Sequence, residues 1–177
     1  MNKAAKTEGS GQILYEENLK EHCEVAALIL RTLPSTSNTR DHVKAAIRKA
    51  SNQVSSVRGG NNHIKAFYMS SAAEAQMLLG KFDNLIGEHL VPVKVLVTKI
   101  LSLPPQTIEW KDVREVVVQF SKMALITKAE DEILSSAGLL ANMPIGWDGS
   151  DLLARYTAVG IDLKVNQYSS LRRSTLS

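Results

Sequence analysis

The segment TRDHVKAAIRKASNQVSSVRGG, residues 39–60, gives the clearest indication of the fold class, because its apolar residues recur at helical spacing. They stand three or four positions apart, which places them on one face of an α-helix: Val43, Ile47, Ala50, Val54 and Val57. The pair Gly59–Gly60 then predicts the end of the helix, since glycine adopts the left-handed capping conformation at little cost. A helix with one apolar stripe must bury that stripe against another element, so the stretch predicts a mostly α-helical fold.

Similar spacing elsewhere predicts a single multi-helix domain of about seven helices. The other six helices are expected over residues 13–33, 71–86, 91–101, 108–126, 127–140 and 151–159. The stripes of the predicted helices indicate a buried core that includes Leu30, Ile47, Leu78, Leu79, Val97, Val113, Val117 and Phe120. Alternation of Ile161, Leu163 and Val165 predicts one short extended segment near the C-terminus.

Local signals set the boundaries of several segments. Ser71 with Glu74, and Thr127 with Glu130, have the spacing of a capping box, in which each residue satisfies a backbone N–H of the other. Residues 91–98 alternate valine with lysine as a strand would, but Pro92 suits a first helical turn and favours helix. Disorder is expected over 1–12 and in a basic tail over 166–177, and the helical domain over 13–165. The candidate subdomain break is Pro104–Pro105.

Composition excludes several classes of protein. The single cysteine, Cys23, excludes an intramolecular disulfide framework and a cysteine-cluster zinc site. Neither a phosphate-binding glycine loop nor a zinc-protease or nucleophile-elbow motif is present, so no cofactor, no metal and no enzymatic activity are expected. The longest apolar stretch, residues 90–103, is too short and too charged to span a bilayer, and no signal peptide is seen. A cytoplasmic location is therefore expected.

The charges are unevenly distributed along the chain. Residues 36–65 carry a net charge of +5, although the whole chain carries only +3. Arg40, Lys44 and Arg48 stand four residues apart and therefore share one helix face without an acidic partner on it. Such a row predicts an anionic partner, either nucleic acid or nucleoprotein, or an anionic membrane surface. The predicted anion-binding residues are Arg40, Lys44, Arg48, Lys49, Arg58 and Lys65.

The second half of the chain has the opposite sign, with a net charge of −4 over residues 104–163. Opposite charge on two regions predicts salt-sensitive self-association into a homo-oligomer. The acidic residues expected in this contact are Glu109, Asp112, Glu115, Glu130, Asp131 and Glu132. The sequence thus predicts a non-enzymatic structural and assembly protein, for example a viral matrix or nucleocapsid-associated protein.

Two alternatives remain open. The loop around Trp147 is apolar for a loop, so Trp147 is either a wedge into the core or the anchor of a helical adaptor for a protein partner. The second alternative is a helical enzyme whose site is assembled from scattered residues such as His63, His89 and Asp148. No motif supports this enzyme.

Overall fold

The computed structural model describes residues 5–55 and 66–168, with side chains from residue 15 onward. Helix predominates in this part of the chain, at 56% of its residues, and the prediction of a mostly α-helical fold with about seven helices is confirmed. The helices are α1 (Ala5–Thr32), α2 (Ser37–Val54), α3 (Ser71–Leu78), α4 (Val93–Leu101), α5 (Trp110–Phe120), α6 (Lys128–Ser136) and α7 (Ala154–Thr157).

A small four-stranded sheet accompanies the helices, whereas the sequence predicted only its last strand. Its strands are β1 (Tyr68–Ser70), β2 (Leu85–His89), β3 (Met123–Thr127) and β4 (Leu163–Val165), in the order β2-β3-β1-β4. The central strand β3 pairs in parallel with β1 and antiparallel with β2, and β4 lies antiparallel to β1 at the edge.

The described residues divide into two compact units, each drawn from two stretches of the chain. The first comprises Met1–Val54 and Leu96–Gln119, and the second comprises Ser55–Val95 and Phe120–Ser177. Pro104–Pro105 therefore lies inside the first unit. The predicted domain boundaries themselves stay a prediction.

In the first unit, α1 and α2 form a helical hairpin. The described part of the predicted apolar stripe of α2 is buried, with Val43 and Ile47 fully inaccessible to solvent, whereas Val57 and the predicted end at Gly59–Gly60 lie outside the described residues. α2 begins at Ser37 because the hydroxyl of Thr36 accepts a hydrogen bond from the N–H of Thr39, at 3.2 Å. Cys23 is buried on α1 as predicted, and burial raises the pKa of its thiol to about 12, which keeps it neutral.

In the second unit, helices cover both faces of the sheet. Alternate residues of β3 point to opposite faces. Leu125 packs in one cluster with Ala73 of α3, and Ile126 packs in another with Leu134 of α6. All five residues of β3 are buried, which makes it the central element of this unit.

The third predicted helix is too long, and its last two leucines are misplaced. α3 ends at Leu78, because Gly80 then takes a positive φ of 71° that turns the chain out of the helix. Leu78 and Leu79 are 68% and 67% exposed, so the prediction that they are buried is wrong. A short 3-10 helix at Phe82–Asn84 and strand β2 replace the rest of the predicted helix. The cap of α3 is Ser70 rather than Ser71.

Other helix boundaries also differ from expectation. The fifth helix ends at Phe120 instead of continuing to residue 126, and α6 ends at Ser136 rather than at residue 140. The first helix starts at Ala5, eight residues before its predicted start, and α7 covers only the middle of its predicted span. The interpretation of residues 91–101 as helix is confirmed by α4, and the capping box of Thr127 and Glu130 is confirmed at the start of α6.

No helix in the described part of the chain is both long enough and apolar enough to cross a membrane.

Candidate functional site

The outer face of α2 carries a row of cations, which we call the basic row and define as Arg40, Lys44, Arg48 and Lys49. All four side chains are exposed, while the opposite face of the same helix is buried. Since an α-helix rises 1.5 Å per residue, the first three of these residues succeed one another about every 6 Å along the helix. The basic row is thus held on one regular, anchored element.

No acidic side chain forms an ion pair with the basic row within residues 15–55 and 66–168. The ion pairs there involve other residues, such as Lys20 with Glu24 at 3.4 Å and Arg114 with Glu16 at 3.0 Å. The only carboxylate in the sequence of α2 is that of Asp41. Like charges four residues apart on a helix repel one another, so an external anion would relieve this repulsion.

A groove of about 400 Å³ lies at the N-terminal end of the basic row, and Arg40 lines it together with Thr39 and Ser102. The hydroxyl of Thr39 donates to the carbonyl of Pro34 at 2.8 Å, and that of Ser102 donates to the carbonyl of Lys99 at 2.7 Å. Both hydroxyl protons are donated to backbone carbonyls and are not available to an anion. Of these three side chains, only Arg40 can therefore donate hydrogen bonds to an anion.

The other two predicted anion-binding residues, Arg58 and Lys65, lie outside the described residues, as does His63 of the enzyme alternative. The structure therefore brings four of the six predicted cations together on α2.

The predicted acidic residues fall into two groups in different units. Glu109, Asp112 and Glu115 belong to the first unit, at and just after the start of α5. The carboxylate of Asp112 accepts a hydrogen bond from the N–H of Glu109 at 2.7 Å, which is half of a capping box. Glu109 lines a groove with Glu21 and Glu24 of α1, two residues that sequence reasoning had not assigned to any site.

The second acidic group, Glu130, Asp131 and Glu132, begins α6 in the second unit. One carboxylate oxygen of Glu130 accepts hydrogen bonds from the N–H of Thr127 at 2.8 Å, the hydroxyl of Thr127 at 2.9 Å and the hydroxyl of Ser70 at 2.7 Å. Asp131 is half-buried and Glu132 is exposed. The role of all six acidic residues in self-association stays a prediction.

Glu130 also lies beside the ends of the two parallel strands of the sheet, β1 and β3. The parallel neighbours β1 and β3 end side by side, and the helices that follow them, α3 and α6, pack on opposite faces. Open α/β sheets commonly bind ligands at such a topological switch point. Here the hydroxyl of Ser70, and the hydroxyl and N–H of Thr127, already donate to the carboxylate of Glu130.

Trp147 is half-buried and fixed from within its own unit. Its indole N–H donates to the carbonyl of Asp151 at 2.7 Å, and its ring meets Phe120 edge-on, with centroids 6.3 Å apart. Ile145 in the same loop is fully exposed. The half-buried indole of Trp147 therefore packs partly into the second unit, whereas the apolar side chain of Ile145 faces solvent.

A cluster that sequence reasoning missed surrounds Arg155, which is 0% exposed. Its guanidinium donates to the carbonyls of Leu90 at 3.0 Å and Leu139 at 2.9 Å, to that of His89, and to the carboxylate of Glu88 at 2.6 Å. Burial raises the pKa of the Glu88 carboxyl, although Arg155 acts in the opposite direction. Arg155 is the only basic residue of the mostly apolar segment DLLARYTAVG (151–160), and no local pattern there predicts that its guanidinium is buried.

Among the described residues, the structure shows no assembled site for the enzyme alternative, which stays a prediction. Asp148 is held by its own loop, where the backbone N–H of Ser150 donates to its carboxylate at 2.8 Å and helps to lower its pKa. His89 lies at the end of β2. Within the described residues, no three histidine, cysteine or carboxylate side chains are grouped as metal ligands would be.

Comparison of this chain with known proteins gives no family to which its fold or its basic row can be assigned. No protein-family model, no curated protein and no solved structure matches it.

Proposed function

We propose that this protein is a non-enzymatic nucleic-acid-binding and assembly protein that contacts the phosphate backbone through the basic row of α2. The observation that carries the proposal is the exposure of Arg40, Lys44, Arg48 and Lys49 on one helix, with no ion pair to any described residue. Lysine and arginine contacts to phosphate supply most of the affinity of sequence-independent binding.

The composition of α2 favours nucleic acid over an anionic membrane. Helices that lie in a membrane interface insert an apolar face among the lipids. The apolar face of α2, with Val43 and Ile47, is buried inside the protein, and the residues around the basic row, Asp41 and Ala45, offer no large apolar side chain. The exposed face therefore suits a polyanion that is contacted through its charges.

Binding of this kind should depend strongly on salt and little on base sequence, because phosphate contacts carry no base information. The test is a fluorescence-anisotropy titration of a short single-stranded oligonucleotide at several salt concentrations. The triple variant Arg40→Gln/Lys44→Gln/Arg48→Gln should lower the slope of log affinity against log salt by about two, at about 0.7 for each lost phosphate contact.

The matched control is Lys81→Gln/Lys111→Gln/Lys128→Gln, which removes the same charge from three other exposed positions. This control should keep a slope close to that of the unmodified protein. An unchanged slope in the α2 variant, or an equal loss in both variants, contradicts the proposal. Binding of the unmodified protein to anionic vesicles but not to the oligonucleotide would identify the membrane instead.

The example of a viral matrix or nucleocapsid-associated protein stays a prediction. The adaptor alternative rests on the Trp147 loop, where the exposed Ile145 and a groove of about 400 Å³ offer an apolar contact.

A further inference from the structure

The first unit has a second surface whose charge is opposite to that of the basic row. It is a groove of about 540 Å³ between α1 and the start of α5, which we call the acidic groove. Its apolar part consists of Val25, Leu28 and Trp110, of which Val25 is 42% and Leu28 52% exposed. Its charged residues are the carboxylates Glu21, Glu24 and Glu109 and one cation, Arg31, so its lining carries a net negative charge.

Two cations of the same chain lie over the indole of Trp110, at the edge of this groove. The ammonium group of Lys20 lies 5.5 Å from the centre of the indole ring, and that of Lys111 lies 6.0 Å from it. Both distances are within the range of a cation–π interaction. Lys20 also pairs with Glu24 at 3.4 Å, whereas Glu21 and Glu109 form no ion pair with any described residue. Two carboxylates thus remain available to an incoming cation.

The basic row is opposite in charge to this groove. Glu21 and Glu109 are the carboxylates of the groove without an ion pair among the described residues, and Arg40, Lys44 and Arg48 present three cations along α2. The methylene stems of lysine and arginine can also cover apolar surface such as Val25 and Leu28 while the charged ends reach the carboxylates.

The basic row does not fill the groove of its own chain. In the first unit α2 packs on α1 through its buried face, and the basic row remains exposed to solvent. A matching row can reach the groove only from a second molecule.

We propose that the acidic groove of one copy receives the basic row of a second copy. The inference rests on the basic row of the proposed function and names a second partner for it. The contact joins two different surfaces, so it is heterologous and leaves one groove and one row open at the ends of an assembly. Because the same cations would bind phosphate, self-association and nucleic-acid binding compete.

The test is a charge swap followed by sedimentation velocity at low salt and high protein concentration. One variant reverses the groove, Glu21→Lys/Glu109→Lys, and the other reverses the row, Lys44→Glu/Arg48→Glu. The unmodified protein should associate, each variant alone should sediment as a monomer, and an equimolar mixture of the two should associate again. The matched control Asp83→Lys/Asp162→Lys changes the net charge equally at two exposed positions of the second unit and should associate like the unmodified protein.

A monomeric unmodified protein, a groove variant that still associates, or a mixture that stays monomeric would each overturn the inference. Circular dichroism verifies that the variants are folded, and the milder pair Glu21→Gln/Glu109→Gln should weaken association in the same direction. The outcome is independent of the proposed function, because the groove variant keeps its basic row. Its affinity for the oligonucleotide should be undiminished even if self-association proves absent.

Discussion

Among single residues, Arg155 has the largest structural task in the second unit. Its buried guanidinium satisfies carbonyl groups at the end of β2 and after α6, and it neutralises Glu88. A buried cation is costly to desolvate, so it persists only where its donors are all accepted by nearby oxygens. Arg155 therefore ties three segments together that the sheet itself does not connect.

Replacing Arg155 should unfold the second unit readily. Arg155→Met removes the cation and leaves the Glu88 carboxylate and several buried carbonyls without their donor, so we expect a loss of about 3–5 kcal/mol. Urea denaturation followed by circular dichroism measures it. The control Arg31→Met changes an exposed arginine and should cost less than about 0.5 kcal/mol. Equal stability of the two variants would contradict the structural role of Arg155.

Two glutamates should give pH dependences of opposite sign. The hydrogen bond from Lys164 lowers the pKa of Glu74, so the favourable contribution of Glu74 is present above the pKa of the unfolded chain, about 4.3, and is lost as the pH falls through the lowered value. Burial raises the pKa of Glu88, so its ionisation destabilises the fold as the pH rises from about 4.3 through the raised value.

The measurement is the free energy of unfolding at a series of pH values for the unmodified protein, Glu74→Gln and Glu88→Gln. The advantage of the unmodified protein over Glu74→Gln should grow with rising pH in the acidic range. Its advantage over Glu88→Gln should shrink as the pH rises from about 4.3 upward. If both differences in the free energy of unfolding changed in the same direction with pH, the environment described for Glu74 or for Glu88 would be wrong.

At the scale of elements, the start of α6 was predictable and the strand before it was not. Thr127 and Glu130 are polar residues at a fixed spacing, and this local signal survives in any fold. Strand β3 is buried on both faces, so its sequence MALIT shows no alternation and reads as the end of a helix. Strand β2 likewise depends on pairing with β3, a contact between residues distant in sequence.

The basic row could also be predicted, because exposed charges four residues apart on a regular helix need only the helical period. The acidic groove could not. It requires α1 and the start of α5 to come together, and no local pattern in Glu21 or Trp110 encodes that meeting. Leu78 and Leu79 show the opposite error, in which a local pattern predicted a contact that does not form. Their helical spacing predicted burial, but α3 ends at Leu78 and both side chains are exposed.

The N-cap of α6 should contribute measurably to the stability of the protein. Thr127→Ala removes the hydroxyl that accepts the N–H of Glu130 at 3.2 Å, and it also removes a donor to the Glu130 carboxylate. We expect a loss of about 1–2 kcal/mol in the free energy of unfolding, near the upper end for N-caps. Thr107→Ala, at an exposed threonine, is the control and should change stability little. Equal effects of the two substitutions would show that the cap contributes nothing.

For the molecule as a whole, the feature that carries the proposals is the distribution of charge over the described surface. Positive charge collects on α2, and the acidic groove lies within the same unit. A chain with both surfaces can associate with its own copies or with a polyanion through the same cations. Salt weakens both contacts, since the screening length shortens to about 8 Å at physiological ionic strength.

Competition between these two contacts gives a prediction for the intact protein. Adding a single-stranded oligonucleotide at low salt should dissolve self-assembled protein, as seen by a fall in light scattering, because phosphates occupy the basic row. The triple variant of Arg40, Lys44 and Arg48 to Gln should scatter little before the addition and show no such fall. An increase in scattering with the unmodified protein would indicate bridging by nucleic acid and contradict competition.

The position of β3 in the sheet also dictates when this protein can fold as it is synthesised. Strands β1 and β2 leave the ribosome first, yet they do not pair with each other; each pairs with β3, which is made later. Closing such distant pairs costs chain entropy and slows folding. Until Met123–Thr127 has emerged, β1 and β2 both lack the strand with which they pair, so the second unit cannot form its sheet before most of the chain has been made.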